Sequence, residues 1–221
     1  MIWTICNGAV DWSATGSMLQ GLGTIAGVGA VVWATITGAK LWKQQRLMER
    51  KVEQAERILS ATYLVRRDLA RVRNGATWSH EEDAARSTLA KLPGWELETN
   101  AKKDRLVTRE IFRVRINLTR DHREALDHCL PMAKALFSAE LEEAMESLNN
   151  LFWRLSTWVD AYVFDHGADQ PFSMMLRRAM NSPEQHEGHE NELNVATDVS
   201  VATIERICLP ALRFEEPTRR K

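Results

Sequence analysis

The sequence predicts an all-α protein with an N-terminal transmembrane helix that continues into a cytosolic helical bundle. Three observations predict it. Residues 12–39 contain no Asp, Glu, Lys, Arg or His. The segments that follow repeat their apolar residues at helical spacing, three and four apart. No segment alternates with period two between turn signals, as a strand would.

A bilayer core of about 30 Å needs about 20 apolar residues in a helix. Residues 19–41 are 23 residues long, and a membrane helix satisfies its own backbone hydrogen bonds, so the glycines are tolerated. Trp12 and Trp42 stand at the two ends, where interfacial aromatic anchors occur. Asp11 is the only charge before the stretch, whereas Lys40, Lys43, Arg46, Arg50 and Lys51 follow it. That asymmetry predicts an outward N-terminus and a cytoplasmic C-terminal part. A buried helix of a water-soluble protein is the competing reading, permitted by the mean hydropathy of −0.34. A cleaved signal fits poorly, because the positive charges lie on the wrong side of the apolar run.

Gly23, Gly27, Ala30, Ala34 and Gly38 fall at steps of four, three, four and four and stack on one helix face. Small residues let two helices approach closely in lipid, so this face is the expected interface of a homo-oligomer. Gly21, Gly23 and Ala26 also match a dinucleotide-binding fingerprint, but no strand precedes them and the following residues are apolar all round. No nucleotide site is expected there.

The expected organisation is a short extracytoplasmic tail at 1–17, a transmembrane helix at 18–41, a cytosolic bundle at 42–213 and a disordered tail at 214–221. The net charge of −1 is unevenly placed. Residues 40–73 hold ten basic and four acidic residues, and residues 74–221 hold 19 and 25. The basic block adjoins the expected membrane, where anionic lipids attract Lys and Arg. Interleaved acids and the lack of a recognition motif argue against nucleic acid. Cys6, Cys129 and Cys208 form no C-x-x-C pair, and no structural disulfide is expected.

The first helix should continue to Arg73, with an apolar seam at Leu41, Met48, Val52, Ala55, Leu59, Thr62 and Leu69, and should stop at Asn74-Gly75. Together with the span it makes one rod of about 55 residues. Ser79 and Glu82 predict a capping box opening a short helix that ends by Leu92, before Pro93-Gly94. Residues 95–100 read as a loop. A long helix is expected over 101–128, with Pro131 kinking or ending it. Its Arg105, Arg109 and Arg113, extended by Arg120, read as a solvated row paired with carboxylates such as Glu110 and Asp121. Ser138 should cap a central helix to His166, closed by Gly167, with a wide apolar face from Leu141 to Val163 and Trp153 and Trp158 facing core or partner. A short helix is expected over 171–180. The last helix, 191–212, carries a stripe of Leu193, Ala196, Val199, Thr203, Ile204 and Ile207, with Pro210 stopping it.

No catalytic, cofactor or metal residue emerges. His128 beside Cys129 is not a dyad, because helix neighbours point about 100° apart. Paired Glu-x-x-His motifs of di-iron bundles are missing. His186 and His189, among Glu184, Glu187 and Glu190, lack the helical scaffold of a zinc site and read as a solvated loop.

The tryptophan and small-residue span, the following Lys-Leu-Trp-Lys-Gln-Gln-Arg, then Ala55-Glu-Arg-Ile-Leu with Tyr63 and Val72-Arg73-Asn74, and the terminal Ile204-Glu-Arg-Ile-Cys-Leu-Pro210, resemble a group of uncharacterised bacterial single-pass inner-membrane helical proteins. Some of these lie in prophage or defence neighbourhoods. The resemblance implies the bacterial inner membrane as location and a membrane-effector role, and carries no catalytic residue. The sequence thus leads to a membrane-anchored interaction or scaffold protein, with the lipid bilayer and a second copy or a protein as partners. The alternative is a membrane-disrupting effector. A metal-dependent enzyme using the His186 loop ranks third.

Overall fold

The computed structural model describes residues 12–165, 169–181 and 191–213, with side chains at residue 31 and from 33 onward. The described residues form helices joined by short turns, without a strand. The helices are α1 (Trp12–Val72), α2 (Ser79–Leu89), α3 (Asn100–Leu118), α4 (Arg120–Leu136), α5 (Ala139–Phe164), α6 (Gln170–Met180) and α7 (Glu192–Leu212). The chain divides into two units, Met1–Glu49 and Arg50–Lys221.

In the larger unit α5 is the central element and packs against α3, α4, α6 and α7. Its sequence explains this: Leu141, Met145, Leu148, Leu151, Phe152, Leu155, Val159 and Val163 recur every three or four residues and are all buried. Ser138 accepts a hydrogen bond from the Leu141 amide at 3.2 Å and fixes where α5 begins. The C-terminal part of α1 shares this core through Ala55, Ile58, Leu59, Val65, Leu69 and Val72. A smaller core joins α2 to α3 through Ala85, Leu89, Val107 and Ile111.

One glycine is demanded by geometry, and a second sits in a close approach. Gly94 has φ 87°, a left-handed conformation that L side chains resist, and turns the chain into a single 3-10 turn, Trp95–Leu97. A Cβ at Gly75 would stand 2.8 Å from Asn181 Oδ1, so α1 ends where α6 approaches its exit.

Several expectations are corrected. The helix expected over 101–128 is two helices, because the chain breaks at Thr119, whose amide and hydroxyl both bond to the Ile116 carbonyl. Pro131 neither ends nor borders α4, which runs on to Leu136 with the proline exposed on its surface. Pro210 likewise lies within α7. The capping box shifts by one residue: Glu81, not Glu82, reaches back, accepting the Trp78 amide at 3.1 Å. The residues expected as a connecting loop at 95–100 begin with the 3-10 turn. In α1 the seam moves off Leu41 and Met48, which are exposed, and onto Ile58, Val65 and Val72. In α7 Val199 is exposed, and the buried stripe instead takes in Thr197, Ser200, Val201 and Cys208. The helix α5 stops at Phe164, and Gly167 lies outside the described residues.

Candidate functional site

Helix α1 passes without interruption through residues 21–26, so the glycine fingerprint there has no strand–turn–helix context. The same continuity places Gly23, Gly27, Ala30, Ala34 and Gly38 within an arc of about 80° at about 100° per residue. Of these, Ala34 and Gly38 fall where exposure is described. Both are open, and a Cβ added at Gly38 would meet nothing within 4 Å.

Around this arc residues 31–39 of α1 expose apolar side chains on several sides, with Thr35 and Thr37 among them. Val31, Trp33 and Ile36 are 67%, 70% and 51% exposed. Thr35 donates to the Val31 carbonyl at 2.8 Å, and Thr37 to those of Trp33 and Ala34 at 2.7 and 3.1 Å. Both exposed hydroxyls are thereby satisfied within the helix, without water. Trp12 opens α1 with its side chain outside the described residues. At the other flank Trp42 is exposed, with the Arg46 guanidinium 5.5 Å from its ring centroid. Lys40 and Lys43 are exposed, and Arg46 pairs with Glu49 at 3.7 Å.

Among the described residues no helix is long and apolar enough to cross a membrane. The transmembrane helix expected at 18–41 is therefore not found among them. Over residues 31–41 Thr35, Thr37, Gly38 and Lys40 interrupt the apolar residues.

The larger unit contains three polar clusters that join residues far apart in sequence. Arg115 forms a bidentate pair with Glu81, at 2.9 and 2.6 Å, and also donates to the carbonyls of Asn74 and Ala76, both at 2.8 Å. The guanidinium holds the Glu81 carboxyl below its usual range. Buried Arg73 donates to the Ala179 carbonyl at 2.8 Å and to Asn194 Oδ1 at 2.6 Å, and more weakly to the carbonyls of Arg178 and Asn181. It thus caps the C-terminal end of α6, whose partial negative charge offsets its own. Burial pushes its pKa down to about 10. Asp68, 2% exposed, meets His122 Nδ1 at 2.5 Å and ties α1 to α4. Among the described residues no hydroxyl or thiol joins this pair, so it lacks the nucleophile of a catalytic triad.

The arginine row does not converge. Arg113 pairs with Glu110, while Arg120 opens the next helix and pairs with Glu124 rather than Asp121. Trp153 is 70% exposed, whereas Trp158 is half-buried beneath the Arg154 guanidinium. Cys129 donates to the Ala125 carbonyl and does not engage His128. Burial pushes the Cys208 thiol up to about 12, which suppresses the reactive thiolate. A groove of about 620 Å³ runs between α1 and α4, floored by Ala61, Cys129 and Met132 and edged by Arg57 and His128. No group of three or more metal-ligating side chains occurs among the described residues. His186, His189 and their glutamates lie outside them.

Arg115–Glu81, Asp68–His122 and the Arg73 cap were all missed in the sequence. Their partners are 34, 54 and more than 100 residues apart, beyond the reach of spacing rules.

Fold and surface together define an all-α helical bundle preceded by an uncharged helical segment. No family model matches the sequence, no curated protein matches it, and no solved structure matches its fold.

Proposed function

We propose that this chain is a membrane-anchored helical interaction protein, held in the bilayer by the N-terminal part of α1 and self-associating through Gly23, Gly27, Ala30, Ala34 and Gly38. The observation that carries the reading is the uncharged stretch at 12–39 lying within one helix. The exposure of Val31, Trp33 and Ile36 on different sides supports it, because water disfavours such a surface and hydrocarbon does not. The self-closed threonine hydroxyls support it as well, since lipid offers no hydrogen-bond partner. The bundle of residues 50–221 then presents its surface to a protein partner on the cytoplasmic side.

Membrane fractionation tests the anchor. The full chain should stay in the pellet through an alkaline carbonate wash and come out only with detergent. A truncated chain beginning at Arg50 should appear in the supernatant. Recovery of the full chain in the supernatant without detergent refutes the anchor. Self-association is tested separately: G23I/G27I should reduce cross-linked dimers in micelles, and unchanged cross-linking removes the small-residue interface.

A further inference from the structure

We infer that His122 is a phosphoryl-acceptor site: its Nε2 takes a phosphoryl group from an acyl phosphate or phosphoramidate donor, with Asp68 as the positioning residue behind the ring. Both residues lie in the unit Arg50–Lys221, and the inference stands apart from the anchoring proposed above.

The ring is held from one edge only. A carboxylate can only accept, so the contact with Asp68 places the proton on Nδ1. In the neutral imidazole the lone pair then sits on Nε2, which makes that nitrogen the nucleophile. Asp68 is buried, and among the described residues His122 is its sole hydrogen-bond and ion-pair partner. The His122 side chain is nevertheless 38% exposed. With Nδ1 turned to a buried group, the exposed edge is the one that bears Nε2. Of the three polar clusters, this one alone presents a nitrogen lone pair to solvent. Arg73 and Arg115 offer only donors, and each spreads them over several acceptors.

The surroundings suit an anion. At about 100° per residue, the buried Val65, Leu69 and Val72 stand about 40–100° round α1 from Asp68 in one sense. Arg67 and Arg71 stand about 100° and 60° round in the other. Both are exposed and form no ion pair among the described residues. The solvent side of the pair on α1 is therefore cationic. On α4 the exposed Asp121 precedes His122, while Glu124 is taken up by Arg120. Two guanidiniums against one carboxylate favour an incoming phosphoryl group. The groove between α1 and α4 leads to the same place. Its near end is formed by Leu64, one turn before Asp68, and Ala125, three residues after His122.

The Nε2 lone pair attacks phosphorus, and the N–P bond forms as the P–O or P–N bond of the donor breaks. The bonding pair leaves with the carboxylate, or with the amine, which takes a proton from water. Nδ1 keeps its proton, so the ring gains positive charge, and the buried Asp68 carboxylate lies against it.

A charge-assisted hydrogen bond that strengthens in the transition state contributes about tenfold in rate. The full chain in detergent micelles is incubated with phosphoramidate. Each histidine is then followed by peptide mass spectrometry under alkaline conditions, where the N–P bond survives. His122 should fill about tenfold faster than the more exposed His80 and His128, which have no carboxylate bonded to the ring among the described residues. D68N should slow His122 about tenfold, and D68E should restore part of the rate. R67Q/R71Q should slow His122 while leaving His80 unchanged. Equal filling of the three histidines in the wild-type chain overturns the inference, and that comparison needs no variant to fold. A D68N chain that fills as fast as wild type overturns it too, as does an adduct that survives acid. None of these outcomes touches the anchor.

Discussion

Arg73 is the residue on which three helix ends depend. It is 1% exposed, and its hydrogen bonds go to the exit of α6 and to Asn194 near the start of α7, with no carboxylate among these partners. Arg73→Met keeps much of the volume but strands the buried Ala179 carbonyl. An unmet buried acceptor costs about 1–3 kcal/mol, and removal of the desolvated charge returns part of that. A net loss of about 2 kcal/mol should be read from the urea midpoint. Glu81 gives a pH signature. Its folded pKa lies below the ordinary glutamate value because Arg115 favours the carboxylate. The unfolded chain then binds more protons than the folded one as pH falls below about 4.5. The stabilisation from this pair is complete above that pH and is lost as pH falls through the folded value. Glu81→Gln should lower stability at neutral pH and flatten the decline between about pH 5 and 3, as measured by denaturation midpoints across that range.

At the scale of elements, α5 was the most legible helix and α3–α4 the least. The face of α5 is wide enough that Leu141, Met145, Leu148, Phe152, Leu155 and Val159 point one way under any small error in phase. Because α5 touches four other helices, Leu148→Ala opens a cavity that none of them can close alone. The expected cost is about 2–5 kcal/mol, against about 1 kcal/mol for Ser138→Ala, which removes only the cap. The two are distinguished by chemical denaturation of the chain beginning at Arg50. The break at Thr119 left no sequence signal, since neither Gly nor Pro marks it. It is made by a threonine hydroxyl that takes the Ile116 carbonyl and by burial of that threonine to 4% exposure. Pro131 does not end its helix. It stands on an exposed side of α4, and the carbonyl freed by its missing N–H belongs to Asp127, also at an exposed position, where water can satisfy it.

At the scale of the molecule, the division into two units has a direct consequence. Nearly all the buried apolar surface that defines the core begins at Ala55. The chain beginning at Arg50 should therefore fold alone, with high helicity by circular dichroism and one cooperative unfolding transition. A gradual, non-cooperative melt refutes the independence of this unit. The unit Met1–Glu49, with Val31, Trp33, Ile36, Leu41 and Trp42 exposed, has no such core of its own among the described residues. The proposed anchoring would cover these side chains with lipid.

The sequence by itself determined the helical class, the central place of α5, the starts of α5 and α6 and the charge step after residue 39. All of these depend on local periodicity or composition, which neighbours in the chain encode directly. Only the tertiary structure decided which face of α1 and α7 is buried, where the 101–136 segment breaks, and how Arg73, Asp68 and Arg115 are satisfied. Those outcomes depend on which carbonyl, carboxylate or apolar face another helix brings alongside, and partners so distant in sequence leave no periodic trace.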